Sequence, residues 1–294
     1  MQKTLDSREF KYSWEEAIEI LRNDPAHQEL IFDSYLTRDL VDNSLRFAAS
    51  EEFAAACDIV KLHAPAARKI LDMPGGNGIA TLAFAKAGFD VTSVEPNPSA
   101  AVGRGAIAHV LSASGLSAGI VDAWGENLPF ESDCFDVVYV RQGLHHASDL
   151  PTMLREIGRV LRPGGVLLAC REHVVDDYNA SLKTFLASQV DHQLYGGENA
   201  FTLADYRAAI RAGRLDLVTE LGPFDSIINA YPNTPSVIRR KILASRAGRM
   251  LNRVMPADIV VALGDWLLKR RKAPGRLYTF VAKKPADRIA THAE

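Results

Sequence analysis

One stretch limits what this chain can fold into more than any other. Ile70-Leu71-Asp72-Met73 is a short apolar run carrying an acid near its end. Pro74-Gly75-Gly76-Asn77-Gly78 follows at once, and Ile79 to Ala87 is small, apolar and helical in period. A strand that turns on glycines straight into a helix belongs to an open α/β sheet, and such a turn faces backbone N–H groups toward a ligand at the helix N-terminus. Gly75, Gly76 and Gly78 permit close backbone approach where any Cβ would collide. Four more apolar runs keep the rhythm: Val91 to Glu95, Ile120 to Asp122, Phe135 to Val140, and Val166 to Cys170. Helix-compatible stretches, Ser99 to Ser112 and Met153 to Leu161, lie between them. Short unbroken runs alternating with helices predict a doubly wound, mainly parallel sheet covered on both faces.

Outside this core the texture differs. Residues 1–65 read as an N-terminal helical cap: Trp14, Ala17, Ile18, Leu21 and Leu40, Leu45, Phe47, Ala48 recur at three- and four-residue spacing, with a break at Asp24-Pro25. The main domain is expected over 66–285, with strands at Leu215–Phe224 and Leu277–Lys283 and helices at Tyr178–Val190 and Ala204–Ala212 around a polar loop, His192 to Asn199. A helical insertion is expected at about 236–272 and a tail at 286–294. Between Ser236 and Arg276 stand eleven Lys or Arg against two acids, +9 locally in a chain whose net charge is −2. With Leu243, Ala247, Met250, Leu251 and Val254 on one face, the insertion reads as a basic amphipathic helix, suited to an anionic membrane surface, an anionic substrate or plain solvent.

Composition excludes several classes. A net charge of −2 supplies no general attraction to nucleic acid. Cys57, Cys134 and Cys170 lie far apart with no CxxC, so neither a disulfide framework nor a metal site is expected. The charged N-terminal stretch lacks the apolar core of a signal peptide, and no apolar run nears the ~20 residues of a membrane span, so the expected location is cytoplasmic.

The ligand is narrowed by two acids. Glu95, at the end of the second run and about 20 residues past the turn, is placed to accept both hydroxyl hydrogens of a ribose. Asp72, just before the turn, would repel a dinucleotide's pyrophosphate yet suits an ammonium group. Adenosine at one end and an amino acid at the other meet both needs.

On these residues the chain resembles the class I S-adenosylmethionine-dependent methyltransferases. The matching stretches are ILDMPGGNGIAT (70–81), VTSVEPNP (91–98), ENLPFESDCFDVVYVRQGLHH (126–146) and LREIGRVLRPGGVLLA (154–169). The resemblance implies a Rossmann-like sheet and S-adenosylmethionine as cofactor. The loop Asp72, Pro74, Gly75, Gly76, Gly78 would pass under its methionine part, and Glu95 with Pro96 would hold the ribose. The residues leading into Leu128 would border the adenine, while Arg141 and Gln142 would lie near the transferred methyl. Two departures stand out. Pro74 replaces the family's first loop glycine, removing an N–H and fixing φ. The adenine segment admits two registers, Asp122-Ala123 or Trp124-Gly125, and Trp124 can stack on the adenine in either.

Methyl transfer from a sulfonium needs an aligned nucleophile and a route for its proton. The candidates are His145 and His146 after the fourth strand, and Glu172 and His173 after the fifth. One of the first pair is expected to serve the structure of the loop. Neighbours on an extended chain point opposite ways, so Glu172 and His173 share a pocket where the strand bends. Arg171, Tyr195, Glu198 and Asn199 are candidates for gripping the acceptor. The expected activity is methyl transfer to oxygen or nitrogen of a small molecule, with peripheral membrane contact through 236–276. A non-catalytic S-adenosylmethionine-binding protein is the alternative, and an NAD(P)-dependent oxidoreductase a distant third.

Overall fold

The computed structural model describes residues 11–270 and 273–286. The tail expected at 286–294 lies beyond Ala286, outside the described residues, as do residues 271–272 of the insertion. Among the described residues there are eight strands: β1 Lys69–Asp72, β2 Asp90–Val94, β3 Gly119–Val121, β4 Phe135–Arg141, β5 Leu161–Val175, β6 Phe201–Thr202, β7 Asp216–Leu221 and β8 Arg276–Lys283. They order as β3-β2-β1-β4-β5-β8-β7, with β6 beside the far end of β5. Pairings from β3 through β5 are parallel, whereas β8 runs antiparallel to β5 and β7. The chain winds outward from β1 to β3 and returns to β4. The crevice where the order reverses, beyond the carboxyl ends of β1 and β4, is where such sheets take ligands.

The alternation of β4 accounts for the two layers. Val137 and Tyr139 bury against one core, with Phe47, Phe53 and Phe84, while Val138 and Val140 bury against the other, with Leu154, Ile157 and Tyr206. A strand covered on both faces has no polar side, which is why these runs are continuously apolar. Each such side chain contributes about 1.5–3 kcal/mol on leaving water.

Among the described residues the cap has four α-helices, Trp14–Asn23, Gln28–Asp33, Leu40–Ala48 and Glu51–His63. The first is started by a capping box between Ser13 and Glu16. Its Ile18 and Leu21 pack with Ile31 and Val102, alongside Val190 and Leu194, so the cap sits against the loop after β2 and the 190s segment.

Two expectations need correction. The insertion is three helices, Pro235–Ala244, Arg246–Leu251 and Ala257–Arg270, because Ser245 caps a new helix and Pro256 precedes another. The apolar positions 243–254 therefore do not share one helix. Nor is the polar segment wholly loop: Val190–Tyr195 is helical and ends on Gly196 in the left-handed conformation. Among the described residues no helix is long and apolar enough to cross a membrane.

Candidate functional site

The turn after β1 is tied down by residues the sequence placed there and by others it did not. Gly75 donates its N–H to Val94 O (2.9 Å), and a Cβ on it would lie 2.0 Å from Ser93 Oγ. Gly76 and Gly78 have φ of 53° and 89°, the left-handed region that favours glycine. Gly76 donates to Glu95 Oε2 (2.8 Å) while Asn97 donates its backbone N–H to Oε1 (2.9 Å). Pro74 packs against Gly143, where a Cβ would come within 2.3 Å of Pro74 Cδ. The cap reaches the same turn: Asn77 Nδ2 donates to Tyr35 O (2.7 Å) and Asn97 Nδ2 to Glu15 Oε1 (2.7 Å).

Asp72 is buried and accepts a hydrogen bond from Thr81 Oγ1 (2.6 Å). Burial pushes its carboxyl up to about 7; the Thr81 bond opposes this and the charge of Glu95 adds to it. Below its ordinary value of ~3.9 Asp72 is protonated whether the chain is folded or not. Between that value and about 7 ionisation favours the unfolded chain, so the stability it contributes is lost as pH rises through this window. Asp72→Asn is accordingly expected to be less sensitive: the difference between urea midpoints at pH 5 and pH 8 should shrink by about half or more. An unchanged difference removes Asp72 from the balance.

A cleft of about 90 Å³ opens beyond these strands, lined by Pro74, Pro96, Ala123, Trp124, Gly143 and His146 among others. Gly125 and Glu126 also line it, whereas Asp122 pairs with Arg104 (2.8 Å) and is absent from the lining. Trp124 is 68% exposed, an indole with one face available for stacking. Arg141 and Gln142 are elsewhere engaged. Arg141 forms a buried bidentate pair with Glu52 (2.6 and 3.1 Å) and donates to Gln142 Oε1 (3.0 Å). Arg171 donates to the carbonyls of Ile228 and Tyr231. These arginines brace the cap and the 228–231 turn against the sheet, and neither lines the cleft.

The histidines gather beside it. Arg171 has φ of 60° where β5 shifts register against β8, and this bend brings both Glu172 and His173 to His145. Glu172 is fully buried beneath the turn after β4. It accepts the N–H groups of Gly143, Leu144 and His145 (3.0–3.1 Å) and His145 Nδ1–H (2.8 Å). His173 donates Nδ1–H to Gly275 O (2.9 Å), and its ring lies 4.8 Å from that of His145. Burial holds His145 well below the ordinary imidazole value and His173 at about 3, so both are neutral. His146 donates Nδ1–H to Gly197 O (3.0 Å), which leaves the Nε2 lone pair available. Burial lowers this imidazole as well.

Tyr195 donates to Glu198 Oε1 (3.2 Å), and Glu198 Oε2 lies 3.6 Å from His145 Nε2. Burial, then the charge of Asp191, raises the Glu198 carboxyl to about 8. Asn199 Oδ1 is buried without a hydrogen-bond partner among the described residues. The predicted candidates thus divide: His145, His146, Glu172, His173, Tyr195 and Glu198 come together, while Arg141, Gln142, Arg171 and Asp122 hold other structure. Sequence reasoning missed the carbonyls of Gly197 and Gly275, which set the two imidazole tautomers, since a backbone acceptor leaves no compositional signal.

A methyltransferase-domain family model matches residues 71–169. These residues thus match a methyltransferase domain. The demethylmenaquinone methyltransferase of Mycobacterium marinum is 29% identical over 150 residues, covering 51% of this chain and 61% of that enzyme. The ubiquinone/menaquinone biosynthesis C-methyltransferase UbiE of Hahella chejuensis is 32% identical over 147 residues, 49% and 58% of the two chains. The matched stretch thus spans about three-fifths of either relative. Among solved structures, a putative sarcosine dimethylglycine methyltransferase from Galdieria sulphuraria superposes with a TM-score of 0.55 over 92% of this chain and 98% of that one, at 17% identity. It shares the fold. The methyltransferase domain's glycine turn fits the family's cofactor: a Cβ on Gly76 would meet nothing within 4 Å, so the turn is open on that side, and the Gly76 N–H and Glu95 meet at the ribose position the family implies.

Proposed function

We propose that this chain transfers a methyl group from S-adenosylmethionine to oxygen or nitrogen of a small-molecule acceptor. The observation that carries the reading is His146: it lines the cleft beside Pro74 and Pro96, with Nδ1–H committed to Gly197 and Nε2 left basic. Asp72, Gly75, Gly76 and Glu95 would hold the cofactor, with Ala123 and Trp124 along its adenine. When bound, the cofactor supplies an electrophilic methyl on a sulfonium. The acceptor lone pair would form the new bond to that methyl while the carbon–sulfur bonding pair stays with the departing thioether, and the acceptor's proton would pass to Nε2 of His146. The test is incubation of the purified protein with S-adenosylmethionine and a panel of hydroxylated and amine acceptors, read by mass spectrometry. S-Adenosylhomocysteine together with an acceptor heavier by one methylene supports the reading. Cofactor binding with no turnover on any acceptor favours a non-catalytic binding protein instead. The names of the curated relatives favour a second reading, a ring carbon of a quinol-type acceptor, and NMR of the product distinguishes the two by the site of the new methyl.

His146→Phe is expected to lower kcat about 10²-fold, leaving cofactor affinity within about twofold. Because burial lowers the His146 imidazole, the unprotonated form persists below the ordinary value of ~6.5. The parent's kcat/KM should therefore hold level as pH falls through 6.5 and drop only further down. A profile that already falls at neutral pH assigns the base elsewhere.

The insertion supports a peripheral contact with anionic lipid. Met250, Val254, Ile259 and Leu267 are exposed among Arg240, Arg246, Arg249 and Arg253. At about 1 kcal/mol for each cation near the surface, the four arginines together should make binding to vesicles of anionic phospholipid exceed that to neutral vesicles by up to about 10³-fold, and the excess should fall with salt. Equal binding to both in cosedimentation rejects the contact.

A further inference from the structure

His145, His173 and Glu198 are separated by 28 and 25 residues, and nothing in their spacing marks them as a set. The fold nevertheless brings one donor atom from each to within 4.8 Å of the others. The bend at Arg171 delivers His173, the turn after β4 delivers His145, and Gly196, in the left-handed conformation, turns the chain so that Glu198 faces both.

We propose that these three side chains bind a divalent transition-metal ion beside the cleft that His146 lines. The inference rests on the methyl-transfer reading for its role, and on geometry alone for its existence. Each imidazole has its Nδ1–H committed, His145 to the Glu172 carboxylate (2.8 Å) and His173 to Gly275 O (2.9 Å). The Gly275 carbonyl has no hydrogen to give, and the Glu172 carboxyl already accepts three backbone N–H groups on its two oxygens, so Nδ1 is the donor and Nε2 carries the lone pair in each ring. A carboxylate or backbone carbonyl behind each histidine is the support metal-ligating imidazoles ordinarily have. Glu198 has equivalent support: Tyr195 OH donates to Oε1 (3.2 Å), which leaves Oε2 facing His145 Nε2 at 3.6 Å. Donors around a tetrahedral ion with ~2.1 Å bonds stand roughly 3.4 Å apart. The widest donor pair must therefore close by up to about 1.4 Å from 4.8 Å, and the 3.6 Å pair of His145 and Glu198 hardly at all, movements within the reach of side-chain rotation.

Two imidazoles and one carboxylate suit Zn²⁺, Fe²⁺, Mn²⁺ or Co²⁺ rather than Ca²⁺ or Mg²⁺, which prefer all-oxygen sets. Three protein ligands leave a coordination position open. His146, its ring centroid 4.2 Å from that of His145, adjoins the triad and also lines the cleft. An acceptor hydroxyl or carbonyl oxygen in the open position would be polarised and oriented, and the ion would ease loss of the hydroxyl proton to His146. No bond to the ion breaks in the transfer and its oxidation state does not change.

The test uses the full chain, stripped with chelator and titrated with Zn²⁺ by calorimetry and with Co²⁺ by visible absorption. One ion per chain and d–d bands of a low-symmetry nitrogen–oxygen site are expected in the parent. His173→Ala and Glu198→Gln should each weaken binding about 100-fold or more, and Tyr195→Phe about tenfold. Melting curves establish that the variants are folded, and S-adenosylmethionine titration reads the neighbouring site separately. Failure of the parent to bind either ion at micromolar concentration overturns the proposal, as does equal binding by the parent and both ligand variants. Either result leaves the methyl-transfer reading standing, because that one is judged by S-adenosylhomocysteine formation. Conversely, metal binding without turnover sustains the site and sinks only its role.

Discussion

Gly75→Ala is expected to lower affinity for S-adenosylmethionine about 10³-fold, or about 4 kcal/mol. The new Cβ would stand 2.0 Å from Ser93 Oγ and 2.8 Å from Ile107 Cδ1. Isoleucine's terminal methyl can move, but Ser93 is fully buried and its Cβ is held on β2 by the pairing with Asp72, so its hydroxyl can leave only by turning about χ1 into the packed core. The turn must yield instead, and with it the Gly76 N–H that meets Glu95. A displacement of about 1 Å in a group that positions a ligand is enough to cost two or more orders of magnitude. The proposition has an internal control. Among the described residues Ser93 Oγ is buried without a hydrogen-bond partner, so its removal leaves nothing there unsatisfied. In Gly75→Ala/Ser93→Ala the nearest Ser93 atom becomes Cβ, at an ordinary 3.4 Å, and most of the affinity should return. Calorimetric titration of parent, single and double variants reads the outcome. Parent-like binding by the single variant, or no recovery in the double, rejects this account of the turn.

The contrast between turn and surroundings explains what the sequence could disclose. Residues 70–78 and Glu95 were legible because their requirements are local: an apolar run, glycines at left-handed φ, an acid at the next strand's end. The apolar runs were legible too, since strands buried on both faces have no alternative composition. The partner of Pro74 was not, because Gly143 lies 69 residues away and only the β1–β4 pairing brings the two together. The same holds for Arg141. Its place at the end of β4 pointed to the cofactor, yet Glu52 from the cap occupies its guanidinium. The insertion misled for a different reason. Apolar spacing of 3.6 persists from 243 to 254, but Ser245 offers a cap to Gly248 N–H that ends one helix and begins the next. Periodicity alone does not detect a cap placed inside a repeating pattern. Glu172 and His173 show the limit most directly. Alternation forbids adjacent residues on a straight strand from facing one pocket, and the bend that relaxes this rule rests on a non-glycine residue, Arg171, at φ 60°.

That bend leads to the second large effect. Glu172→Ala is expected to destabilise the fold by about 3–5 kcal/mol. The carboxylate takes three backbone N–H groups and an imidazole N–H in a place where water has no access, and removing it strands all four donors. Each unsatisfied buried donor costs about 1–3 kcal/mol, and partial relaxation of the turn keeps the sum below four separate losses. Glu172→Gln is informative because it preserves volume. Its amide oxygen can accept two of the N–H groups, but the NH₂ faces the remaining donors, so it should recover no more than about half of the stability. Both variants should also lower kcat well beyond their effect on cofactor affinity, since the turn carries His145 and His146. Urea denaturation gives the stability, and kcat measured well below the melting temperature separates misplacement of the turn from loss of folded protein. A Glu172→Ala variant as stable as the parent would mean that the 143–146 turn holds its conformation without its acid. Glu172 would then be left as a partner of His145 alone, and the case for a preorganised base in His146 would rest on the Gly197 carbonyl.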